Sequence, residues 1–254
     1  MDSVKNYYNS YNYPDLKFYT NKQIKNHKKL VSKILSYANL SLNTIMSKNI
    51  LDAGCGTGEK SVLFAKYGAH VTSIDFSEGQ LEKAKLLAKN NNVDINFKQM
   101  DIINSNLKQL GKFHIIICTG VLHHTENPYL GFTKLIDLLD KDGIIILGFY
   151  HKYSRQKYRF NRFLIKTFVS KDPDKIINWL TTSNFARIFR SAPLTTLYDR
   201  YAVPYESYHT LKEIKKWFRI NNLQLIGYSE NVKGLEIFKI FEKKTIFFVA
   251  GKRS

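Results

Sequence analysis

The sequence predicts an α/β protein: a doubly wound, mostly parallel seven-stranded sheet with helices on both faces and a helical insertion after the fifth strand. Three observations predict it. Strand-like and helix-like patterns alternate from Asn49 to Phe149. The first strand runs into a glycine-rich turn, Gly54-Cys55-Gly56-Thr57-Gly58. The segment from Phe113 to Cys118 is apolar almost throughout, as a parallel strand covered on both faces should be.

Each element has its own local reason. Ile24, Leu30, Val31, Ile34 and Leu35 recur at helical spacing and predict a helix over 22–37, followed by a polar loop over 39–47. Residues 49–52 form a short strand, and 59–67 a helix stopped by Gly68. Residues 70–75 make the second strand, after which Ser77 caps a helix running to about Asn90. Strands follow over 93–100 and 113–118, and a helix over 127–139 carries Pro128 in its first turn. The turn Asp142-Gly143 leads into a fifth strand over 144–149. Between Tyr150 and Tyr208 the rhythm stops, and the aromatic and basic composition there reads as a helical cap. It resumes with a helix over 211–220 and strands over 223–229 and 245–251. The expected units are an aromatic leader and helix (1–47), a ligand-binding core (48–150), the cap (151–208) and closing elements (209–254).

The composition narrows the function classes. Hydrophobic residues at 44% and charged residues at 24% suit a soluble globular chain. The start of the chain has no apolar core of a signal peptide, and no apolar run is long enough to span a bilayer. Cys55 and Cys118 are the two cysteines, without metal-ligand spacing, so the expected compartment is the cytoplasm and no metal site is expected. The net charge of +18 fits an anionic partner such as nucleic acid. It equally fits an AT-rich coding sequence, in which Lys, Asn, Ile, Tyr and Phe are all abundant, and the basic residues are spread along the chain. A nucleic-acid partner is therefore not favoured over a small-molecule substrate.

The glycine turn carries most of the chemistry. Its G-x-G-x-G spacing allows close approach of a ligand to main-chain N–H groups. The preceding strand ends in Asp52, a carboxylate that opposes a pyrophosphate but suits a cationic ligand. Asp75 ends the second strand, where an acid can accept from ribose hydroxyls. Residues 51–58 thus resemble motif I of class I S-adenosylmethionine-dependent methyltransferases, and Val71–Ser77 resembles the acidic segment that follows it. Gln99-Met100-Asp101-Ile102 is similar to their third-strand segment, Thr119–His124 to the loop after strand four of the small-molecule and quinone-type members, and Asp140–Leu147 to the turn into strand five. The resemblance implies S-adenosylmethionine as cofactor. By position, Gly54, Gly56 and Gly58 would shape the loop under its methionine end, and Asp52 would support that loop and the ammonium. Asp75 would bind the ribose, Phe76 lie beside the adenine, Asp101 and Ile102 hold the adenine edge, and Thr119 and Gly120 line the approach to the methyl group. Strand-end capping by Asp75 and Asp101 and core packing of Phe76 are the competing readings.

Other candidates rest on position alone. His123 and His124 follow strand four at the carboxyl end of the sheet, where either could be a general base or could hold the loop; His124 is the better placed for the base. Cys118, on an apolar strand, reads as a structural thiol. Asp199, Arg200, Glu206 and His209 lie in a polar-aromatic stretch and are substrate-site candidates. The tyrosines from Tyr7 to Tyr19 resemble leaders that fold over such pockets. Residues 151–168 place Phe160, Phe163, Leu164 and Phe168 on one face of a basic helix, expected to be a lid packing that face inward, with peripheral membrane or RNA contact as the alternative. No Asn/Asp-Pro-Pro-aromatic tetrad follows strand four, which argues against amide or adenine-amine methylation. Methylation of an oxygen, nitrogen or carbon of a small molecule is expected, ahead of tRNA or rRNA methylation and of a non-catalytic scaffold.

Overall fold

The computed structural model describes residues 21–189, 194–203, 205–229 and 246–253. In chain order the elements are α1 (Asn21–Ser36), β1 (Asn49–Ala53), α2 (Glu59–Lys66), β2 (His70–Asp75), α3 (Glu78–Asn90), β3 (Asn96–Gln99), β4 (Phe113–Thr119), α4 (Pro128–Ile136) and β5 (Leu139–Tyr150). Then come α5 (Gln156–Phe168), α6 (Pro173–Thr182), α7 (Leu194–Tyr201), α8 (Leu211–Ile220), β6 (Leu223–Tyr228) and β7 (Ile246–Arg253). The tyrosine-rich leader lies outside the described residues.

The seven strands form one sheet in the order β3-β2-β1-β4-β5-β7-β6. Strands β1 to β5 pair in parallel, whereas β7 runs antiparallel between β5 and β6. The chain order reverses between β1 and β4, and in such sheets the ligand crevice opens at the carboxyl ends of the strands at that point. β4 is buried on both faces, and its pleat sorts its residues. Ile116 and Cys118 join a core with Phe132 and Leu135 of α4 and Phe218 of α8. Ile115 and Ile117 join another with Leu35 of α1, Val62 of α2 and Leu87 of α3.

Caps set several helix starts. The side chains of Ser77, Asn127 and Thr210 accept from the backbone N–H groups of Gln80, Leu130 and Glu213, each three residues on. Two strands depart from expectation. β3 is only four residues long because it is an edge strand, paired over Thr72–Asp75 alone. β5 begins at Leu139, before the expected turn: Leu139 pairs with Phe113, and the register then shifts around Asp142, which takes a φ of +60°.

The insert has a hydrophobic cluster of its own, including Ile165, Ile176, Leu180, Tyr198 and Tyr201. The expected orientation of α5 is corrected by the structure. Ile165 and Arg162 are buried, while Phe160, Phe163 and Phe168 face solvent.

Candidate active site

The glycine turn is held at both ends. The N–H groups of Gly54 and Cys55 donate to the Ile74 carbonyl at 2.8 and 3.0 Å, tying the turn to β2. Gly54 sits at φ +75°, and a Cβ there would lie 2.3 Å from Cγ2 of Val121. At Gly56, φ is +56° and a Cβ would meet nothing within 4 Å, so the backbone there faces open space. The Gly56 N–H donates to Oδ2 of Asp75 at 2.9 Å, and the Ser77 N–H to Oδ1 at 3.0 Å. Each carboxylate oxygen keeps acceptor capacity for a ligand hydroxyl. Burial pushes the Asp75 carboxyl above its usual range, against these two hydrogen bonds.

Asp52 is different from its sequence reading. It is fully buried and does not line the cavity. Ser61 donates to its Oδ2 at 2.7 Å, and the ammonium of Lys60 lies 3.3 Å from Oδ1. The cation this carboxylate meets is internal. Burial opposes the charge on Lys60, but the Asp52 carboxylate outweighs it and holds the amine protonated. The same ammonium donates to Thr119 Oγ1 at 3.1 Å, linking α2 to the end of β4. Burial pushes the thiol of Cys118 up to about 12, which works against a thiolate there and fits a structural role on β4.

The opposite wall comes from the loop after β4 and from the insert. Nε2 of His124 lies 3.2 Å from Oδ1 of Asp199, and Nδ1 lies 3.1 Å from the Tyr205 carbonyl. Both ring nitrogens therefore face acceptors, and only the imidazolium donates to both. The hydroxyl of Tyr150 donates to Oδ2 of Asp199 at 2.5 Å. Burial would raise the Asp199 carboxyl, but the hydrogen bond and charge of His124 and the Tyr150 hydroxyl hold it below its usual range. The Tyr150 ring is clamped between His123, at 3.8 Å between centroids, and the Arg155 guanidinium, at 3.5 Å.

A cavity of about 730 Å³ joins the two walls. Of the residues singled out from the sequence, it is lined by Gly54, Gly56, Asp75, Phe76, Asp101, Ile102, Thr119, Gly120, His124 and Asp199. Asp101 also caps the turn after β3, accepting from the Ile103 N–H at 2.7 Å and the Asn104 amide at 2.7 Å.

The other candidates lie elsewhere. Gly58 is the N-cap of α2. His123 is fully buried, and burial pushes its pKa well down, so it remains neutral against Tyr150. Glu206 is buried between Arg155 and Arg162, Arg200 lies over the Tyr158 ring, and His209 contacts Ser207 and Glu213. None of these lines the cavity. Residues the sequence reading passed over include Lys60 and, on the cavity wall, Gln80, Val121 and Glu126. Lys60 had a signal: it follows the turn at the first helical positions, where a side chain can reach back under β1.

A family model described as a methyltransferase domain matches residues 46–192, more than half of the chain. The chain belongs to the methyltransferase domain family. Its fold is that of the class I S-adenosylmethionine-dependent members. The ubiquinone biosynthesis O-methyltransferase of Glaesserella parasuis is 35% identical over 119 residues, covering 45% of this chain and 50% of that protein. The enzyme of the same name from Rickettsia canadensis is 34% identical over 119 residues, covering 47% and 48%. The chain thus matches about half the length of these curated relatives. Among solved structures, magnesium protoporphyrin IX methyltransferase from Synechocystis with bound S-adenosylmethionine superposes with a TM-score of 0.60 at 18% identity, over 99% of this chain and 95% of that one. PKMT2 from Rickettsia typhi gives 0.64 at 14% identity, over 95% and 54%.

Proposed function

We propose that this methyltransferase moves the methyl group of S-adenosylmethionine to a hydroxyl oxygen of a small organic acceptor. The observation that carries the reading is a single cavity with two chemically different walls. On one, the open backbone of Gly56 and the buried carboxylate of Asp75 suit a nucleoside-bearing ligand. On the other, Asp199 presents a carboxylate held by Tyr150 and His124. The cavity falls within the roughly 300–1,000 Å³ of small-ligand sites.

S-adenosylmethionine supplies a methyl group already activated on a sulfonium, so the chain needs mainly to align the acceptor and exclude water. A hydroxyl must also lose its proton. His124 has no ring nitrogen directed away from an acceptor, so it is not the free base that its sequence position suggests. Asp199 takes that role in our proposal, with His124 and Tyr150 orienting its two oxygens. The names of the curated relatives, both O-methyltransferases, support an oxygen acceptor.

The test is labelled S-adenosylmethionine offered to a panel of phenols and alcohols and, separately, to total RNA. Label in a hydroxyl compound, reduced by Asp199→Asn by about 10²–10⁴-fold, is the expected result. Label confined to RNA, falling steeply with salt, overturns the reading.

A further inference from the structure

The exposed phenylalanines among the described residues are Phe160, Phe163, Phe168 and Phe185, at 62%, 63%, 79% and 88% exposure, and all four belong to the insert. Three lie on α5. Phe160, Leu164 and Phe168 are spaced i, i+4, i+8, with Phe163 beside them, so they form one stripe along the helix. The opposite face carries the buried contacts: Ile165 in the insert's cluster, Tyr158 packed against it, and Arg162.

Arg162 fixes this rotation. Its guanidinium bonds Oε2 of Glu206 at 2.6 Å and the Val203 carbonyl, while Arg155 bonds Oε1 of the same carboxylate at 2.5 Å. Turning the phenylalanine stripe inward would strip the buried Glu206 carboxylate of its Arg162 partner, which is costlier than leaving aromatic rings in water. The rings therefore stay outside, and a stripe of this kind marks an interaction surface.

The charge around the stripe indicates what covers it. Lys157, Arg159 and Lys166 flank it on α5, and Lys171 and Lys175 follow. Between His151 and Arg187 the only acids are Asp172 and Asp174, and Asp172 is spent capping α6. A second copy of the same face would meet it with like charge. An anionic lipid surface supplies both requirements, acyl chains for the rings and negative headgroups for the lysines.

We propose that the outward face of α5 docks this protein on an anionic membrane surface. The docking lies apart from the cavity and does not depend on the methyl acceptor. Because a chain of net charge +18 can adhere to negative vesicles through charge alone, the decisive readout is the phenylalanines. The full chain is sedimented with vesicles of phosphatidylcholine alone and of phosphatidylcholine with equal phosphatidylglycerol. Binding to the mixed vesicles only, weakened at least about tenfold in F160S/F163S/F168S with an unchanged melting temperature, is expected. Three results overturn the proposal: no sedimentation, equal retention of the triple variant, or a concentration-dependent dimer that the triple variant abolishes.

Discussion

Replacing Lys60 by Met removes the cation that, among the described residues, is drawn up against Asp52, and keeps most of the side-chain volume. Asp52 is fully buried, and among the described residues its other side-chain partner is the Ser61 hydroxyl at 2.7 Å. Breaking a buried pair from one side costs about 3–5 kcal/mol, because the other charge stays behind. Lys60 retains 17% side-chain exposure, so the lower end of that range, about 3 kcal/mol, applies. For a chain of this size that lowers the melting temperature by about 6–12 °C. Asp52→Asn in the Lys60→Met background should recover most of the loss, because the orphaned charge is gone. Calorimetric unfolding of the four proteins of this cycle measures the coupling. A loss below about 1 kcal/mol for Lys60→Met, or no recovery in the double variant, refutes the assignment of Lys60 as the partner of Asp52.

Asp75→Ala leaves the N–H groups of Gly56 and Ser77 without their acceptor and should weaken S-adenosylmethionine binding by about 1–3 kcal/mol in titration calorimetry. Unchanged affinity would remove Asp75 from the site. The wild-type affinity should also begin to fall at a higher pH than an ordinary carboxylate allows, since burial raises the Asp75 pKa and the ionised form is the better acceptor. Asp199→Asn should lower turnover while leaving cofactor affinity intact, which separates the acceptor wall from the cofactor wall. Asp199 also bears on stability. Its folded pKa is depressed, so its contribution is present above the usual aspartate value and is lost as pH falls through the folded one. Acid unfolding of Asp199→Asn should therefore show a shallower loss of stability in that window, and an identical acid limb would contradict the His124–Asp199 contact.

The geometry of the glycine-turn wall of the cavity was largely legible because its causes are local. A glycine at φ +75°, an acid at a strand end and a serine capping the next helix are properties of a few neighbouring residues, so their spacing along the chain carries the geometry. The central parallel strands were legible for a similar reason: continuous apolar runs leave no polar face to turn outward. The edge position of β3 and the antiparallel course of β7 were not, because strand pairing joins segments far apart in sequence.

The His124–Asp199 wall of the cavity belonged to the tertiary structure. His124 and Asp199 are 75 residues apart, and only their packing shows that both imidazole nitrogens meet acceptors, the observation on which the proposal of Asp199 as base rests. The same limit applied to Asp52, whose sequence position calls for a cation without saying that Lys60, the second residue of α2, provides it. It applied also to α5, where periodicity identified the phenylalanine stripe and its basic flanks but predicted the wrong side. An amphipathic pattern fixes which residues share a face; which face turns inward depends on what the other carries, and here a buried carboxylate contributed from Glu206 held Arg162 inside and left the aromatic rings to the solvent.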